Sequence, residues 1–91
     1  MPKVLIPPSL QRLTNDEAEV RLRGKTVREV VANLEKKFPA FRNKLLDGNG
    51  ELRKFIGVFV NKEDIRAAEG VKTPVGEEDE VSLVPAVAGG T

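Results

Sequence analysis

The chain has 91 residues, 40% hydrophobic and 32% charged, and carries a formal net charge of +1. That length supports one domain with a modest core, and no apolar run approaches the roughly 20 residues that span a bilayer. There is no cysteine and no histidine, so disulfides, thiol chemistry and iron–sulfur ligation are excluded. The commonest general base and zinc ligand is missing with the histidines.

Lys3-Val4-Leu5-Ile6 reads as a short apolar strand, ended by Pro7-Pro8, which removes two backbone donors. Leu10 to Asp16 reads as loop, with Thr14-Asn15-Asp16 as its turn signal. Glu19 to Arg23 alternates polar and apolar, a half-buried strand that presents Val20 and Leu22 to the core. Gly24 closes it, and the two strands predict a hairpin.

Thr26-Val27-Arg28-Glu29 is a capping box: Thr26 accepts from the Glu29 amide, and the Glu29 carboxylate reaches back to the Thr26 amide. Val27, Val30, Val31, Leu34 and Phe38 follow at helical spacing, one stripe of an amphipathic helix. Lys36 and Lys37 suit its C-terminal dipole and Pro39 stops it. Phe41, Leu45 and Leu46 predict a short helical turn beneath the helix, before the loop Asp47-Gly48-Asn49-Gly50.

Phe55 to Val60 is the strongest strand signal. Alternation sends Ile56, Val58 and Val60 to one face, Phe55 and Phe59 to the other. Asn61 to Ile65 reads as a turn into a very short strand, Ala67 to Pro74 as irregular, Val75 to Asp79 as an acidic turn, and Glu80 to Val84 as the last strand. The order strand, strand, helix, strand, short strand, strand suits an α+β fold with a mixed four- to five-stranded sheet covered by one main helix. A β-grasp, ubiquitin-like arrangement results if the first and last strands pair in parallel. Residues 1–84 then form the domain and 85–91 a tail.

That tail, Pro85-Ala86-Val87-Ala88-Gly89-Gly90-Thr91, holds nothing that builds a core. Glycine loses the most backbone entropy on ordering, so a terminal Gly-Gly is expected to move freely. A segment this slim can enter a narrow channel on a partner and carry a carboxylate there.

The residues resemble the ubiquitin-like sulfur-carrier proteins of the MoaD/ThiS type, from about Val4 to Gly90. The resemblance is carried by Lys3-Val4-Leu5-Ile6, Thr26-Val27, Val58-Phe59-Val60-Asn61 with Glu63-Asp64-Ile65, Glu78-Asp79-Glu80-Val81, and above all Pro85-Ala86-Val87-Ala88-Gly89-Gly90. The ending is most similar to the carriers that serve cysteine biosynthesis. The resemblance implies an E1-like partner that uses MgATP to adenylate the terminal glycine carboxylate, then conversion to a thiocarboxylate, then donation to a sulfur-accepting synthase in cysteine, molybdopterin or thiazole biosynthesis. Gly90 would bear the reactive carboxyl, and Ala88 with Gly89 would thread the channel. Thr91 departs from the pattern, and its removal by a metallopeptidase is implied. A carrier of this kind is not an enzyme and binds no cofactor or metal of its own.

Leu5, Phe59 and Val84 fall opposite the presumed core residues of their strands, and together they would make an apolar docking face for the activating enzyme. The alternative is that Lys and Arg stems cover Phe59. The acidic run Glu77 to Glu80 reads as a solvated turn. Arg42, Lys44, Arg53 and Lys54 read as solvated surface, with a small basic interface as the alternative. Neither a nucleic-acid nor a membrane partner is expected, and no secretory signal is visible, so the location expected is cytoplasmic. The rival functions are a ubiquitin-like modifier conjugated to lysines and a plain β-grasp interaction domain.

Overall fold

A computed structural model describes residues 1–54 and 56–85. Phe55, and with it the expectation for its side chain, lies outside the described residues. Strands β1 (Lys3–Leu5) and β2 (Glu19–Arg21) form the expected antiparallel hairpin, with Val4 opposite Val20. The helix α1 (Val27–Lys37) follows, then β3 (Ile56–Val60), the two-residue β4 (Glu63–Asp64) and β5 (Glu80–Pro85). The sheet order is β2-β1-β5-β3-β4. The first and last strands pair in parallel at the centre and every other pair is antiparallel. This is the β-grasp expected from the element order.

The core lies between one sheet face and α1. Alternation sends Val4, Val20, Ile56, Val58, Val60, Val81 and Leu83 inward, and all are buried. The helical stripe Val27, Val30, Val31, Leu34 and Phe38 meets them, also buried. Burying such side chains stabilises by about 1.5–3 kcal/mol each, set against the entropy of ordering them. Phe41 and Leu45 are fully buried under the helix end, where Pro39–Phe41 forms a single 3-10 turn.

Three local expectations are corrected. Pro8–Thr14 is a seven-residue 3-10 helix rather than a loop. Leu10 and Leu13 pack partly against the core, and buried Thr14 places its hydroxyl 2.8 Å from the Glu17 carbonyl. The turn signal survives at the end of this helix, where Asn15 and Asp16 both adopt positive φ.

The capping box is also altered. Thr26 does accept from the Glu29 amide at 3.3 Å, but the Glu29 carboxylate takes the Lys25 amide at 2.9 Å, not that of Thr26. The cause is a neighbouring segment. Val27 donates to the Thr73 carbonyl and Val75 to the Lys25 carbonyl, so residues 73–75 pair alongside the helix entrance. Ala67 to Pro74, expected to be irregular, carries the 3-10 turn Gly70–Lys72, with a second turn, Ile65–Ala67, at its start, and Val75, expected in an acidic turn, enters the core.

Candidate functional site

The outer face of the sheet carries the residues expected to dock a partner. Ser82 of β5 is in register with Leu5 on one side and Phe59 on the other. Leu5 and Phe59 are therefore two strand spacings apart, roughly 9–10 Å, with a serine between them. Val84 lies one pleat further along β5, opposite Gly57 of β3. Leu5 and Phe59 are half-buried, whereas Val84 is 45% exposed. The three residues share one face around Ser82, rather than forming an unbroken row.

Two residues missed by the sequence reading shape this face. A Cβ on Gly57 would stand 3.4 Å from both Phe59 Cε1 and the Val84 carbonyl oxygen. The Phe59 ring thus lies over the glycine, which leaves room for it. A glycine within an otherwise β-branched strand was the available signal, since such a position often marks a close approach. Ser82 offered no signal by itself; only the register reveals it as the centre of the patch.

The far end of β5 is where the described residues stop. Pro85 pairs with Ile56 and is the last described residue. Ala88, Gly89, Gly90 and Thr91, expected to thread the channel, carry the reactive carboxyl and be removed, lie outside the described residues.

The near end of β5 is locked. Asn61 has φ of 50° and Lys62 of 74°, a left-handed pair that turns β3 into β4. The Asn61 side chain donates to Asp79 Oδ1 at 2.8 Å and accepts from the Glu80 amide at 3.0 Å. Asp79 also accepts from the Gly76 amide at 2.7 Å, and that bond, followed by the one from Asn61, holds its carboxyl below the usual 3.8. Glu77 pairs with the N-terminal amine at 2.8 Å, which lowers its pKa. The acidic run is therefore partly structural, since two of its members tie β5 to its neighbours. Among the described residues no group of acidic side chains could hold a metal ion, and no helix is long and apolar enough to cross a membrane.

Residues 4–90 match the family model described as the ThiS family. The sulfur carrier protein CysO of Mycobacterium tuberculosis is 35% identical over 89 residues, covering 96% of each chain. Among solved structures, a chain in the Amycolatopsis orientalis BexX/CysO complex superposes with a TM-score of 0.91 at 32% identity, covering 96% of this chain and 97% of that one. Small archaeal modifier protein 1 of Methanosarcina acetivorans superposes with a TM-score of 0.84 at 27% identity, covering 94% of this chain and 92% of that one. The sheet order, the single covering helix and the match from the first strand to Gly90 agree, and the chain belongs to the ThiS family of ubiquitin-like sulfur carriers.

Proposed function

We propose that this chain is a sulfur carrier whose reactive group is the carboxyl of Gly90. An E1-like enzyme binds it and MgATP. The Gly90 carboxylate attacks the α-phosphorus and pyrophosphate leaves, giving the acyl adenylate. A sulfide equivalent then displaces AMP at the acyl carbon, leaving a thiocarboxylate for a sulfur-accepting synthase. The chain contributes a shaped handle and a slim arm rather than catalytic side chains. ATP supplies the leaving group that a bare carboxylate lacks.

The observation that carries this reading is the family match, which runs to Gly90 and leaves Thr91 outside it. The similarity to CysO over nearly all of both chains supports it and favours cysteine biosynthesis as the destination of the sulfur. The described face fits as the handle, since Leu5, Phe59 and Val84 flank the strand that leads into the tail. The BexX/CysO complex supports a synthase-like partner for a relative of this chain.

Thr91 must leave before activation, because a β-branched residue after the diglycine both blocks the channel and displaces the carboxylate. A metallopeptidase is the proposed agent. The test compares chains ending at Thr91 and at Gly90, each with a cognate activating enzyme, MgATP and sulfide. Intact mass should report replacement of one oxygen by sulfur only for the chain ending at Gly90. Equal conversion of both, with Thr91 retained, overturns the reading.

A second reading is favoured by the likeness to small archaeal modifier protein 1. A modifier would share the adenylation step and then join Gly90 to a lysine amine. ATP-dependent adducts that survive thiol on a denaturing gel would identify it.

A further inference from the structure

Three segments that carry basic residues meet near the Pro85 end of β5. Pro85 is in register with Ile56, so residues 53 and 54 stand beside the start of the tail. Arg66 Nη2 donates to the Ile56 carbonyl at 2.9 Å and to the Arg53 carbonyl at 2.8 Å. Arg53 in turn donates through Nε to the Asn43 carbonyl at 2.7 Å, and its amide donates to the Leu45 carbonyl at 2.9 Å. These bonds bring Arg42, Lys44, Arg53, Lys54 and Arg66 together from three segments.

None of the five forms an ion pair among the described residues. Asp47, Glu51, Glu63 and Asp64 lie on the same segments, and the two aspartates are engaged by backbone amides. Asp47 accepts from Asn49 at 2.8 Å and Glu51 at 3.1 Å, and Asp64 from Arg66 at 2.9 Å. Glu77, Glu78, Asp79 and Glu80 sit at the opposite end of β5. Those four acids stand beside the N-terminal amine, Lys3 and Arg21, whereas the five basic residues at the other end of β5 have no ion pair among the described residues. Like charges gathered without partners are unfavourable in the free protein and become favourable against an opposite charge.

We infer that this basic collar docks on an acidic rim around the mouth of the channel that receives the tail on the activating enzyme. The inference rests on the reading of Gly90 as the activated residue. Reach decides between this occupant and the nucleotide. Gly90 lies five positions beyond Pro85, a stretch that extended spans about 17 Å. With Gly90 at the α-phosphorus, the collar remains outside at the mouth. Nucleic acid fits less well, because a net charge of +1 leaves little phosphate neutralisation to drive binding.

The test uses the chain ending at Gly90, its cognate activating enzyme and ATP–pyrophosphate exchange. Arg53 and Arg66 are left intact because they hold the backbone. The variant Arg42→Glu/Lys44→Glu/Lys54→Glu reverses the remaining charges, and Lys36→Glu/Lys72→Glu is the control on the helix side. The collar variant should raise KM for the carrier about tenfold or more with kcat within about twofold, and should lose the steep rise of KM with salt seen in the parent. The control should do neither, and both should melt near the parent temperature. An unchanged KM and salt dependence in a folded collar variant overturns the collar. A parent that supports no exchange at all overturns the activation reading instead. Tighter binding of the parent than of the collar variant to single-stranded RNA, with exchange unaffected, would assign the collar to nucleic acid and also overturn the inference.

Discussion

Phe59 shows how one residue serves both folding and function. Its neighbours in β3, Val58 and Val60, are buried, while its own ring turns outward and lies over Gly57. The ring covers Gly57 and still presents apolar surface beside Val84, which is 45% exposed. A charge there meets no core atom but breaks the apolar face. Phe59→Asp should therefore abolish adenylation of Gly90 while lowering stability by no more than about 1 kcal/mol, the scale of a half-exposed strand position. Urea unfolding and pyrophosphate exchange measure the two effects separately. Full activity in the variant would remove Phe59 from the docking face. The sequence disclosed that Phe59 points away from the core, because alternation is a local property. It did not disclose Ser82 between Leu5 and Phe59, because register is set by pairing between distant strands.

Among elements, the helix and the central strands were the most legible. Five apolar residues at helical spacing, a threonine cap and a stopping proline agree over Val27–Lys37, and no tertiary contact contradicts them. The 3-10 helix Pro8–Thr14 was not legible, because Pro and Ser resemble loop residues and its apolar positions pack only after the sheet exists. The change of donor to the Glu29 carboxylate, from the Thr26 amide to that of Lys25, has the same origin, a segment nearly fifty residues away in sequence pairing with the helix entrance. That entrance is tightly built. A Cβ on Gly24 would lie 2.6 Å from Val30 Cγ2 and 2.7 Å from the Val30 backbone nitrogen. The backbone cannot yield without moving the first turn of the helix. Gly24→Ala should cost about 1–3 kcal/mol by crowding, read as a lower urea midpoint at unchanged slope. A midpoint equal to the parent's would mean that the strand exit and the helix are not locked together.

At the scale of the whole molecule, the fold and the proposed arm divide at Pro85. Among the described residues, the buried apolar core lies between Val4 and Leu83, and β5 pairs with β1 and β3 up to Pro85, which faces Ile56. The proposed chemistry, by contrast, needs the residues that follow that strand. A chain ending at Pro85 should melt within about 2 °C of the parent, well below the roughly 4–8 °C that 1 kcal/mol moves a domain of this size. It should still compete with the parent for the activating enzyme, because the apolar face and the basic collar remain, but it should support no pyrophosphate exchange. A large fall in melting temperature would show that residues 86–91 belong to the folded unit, and retained exchange would remove Gly90 from the reaction. Competition without exchange would separate recognition by the sheet from reaction at the tail, the division on which a carrier with no histidine or cysteine depends.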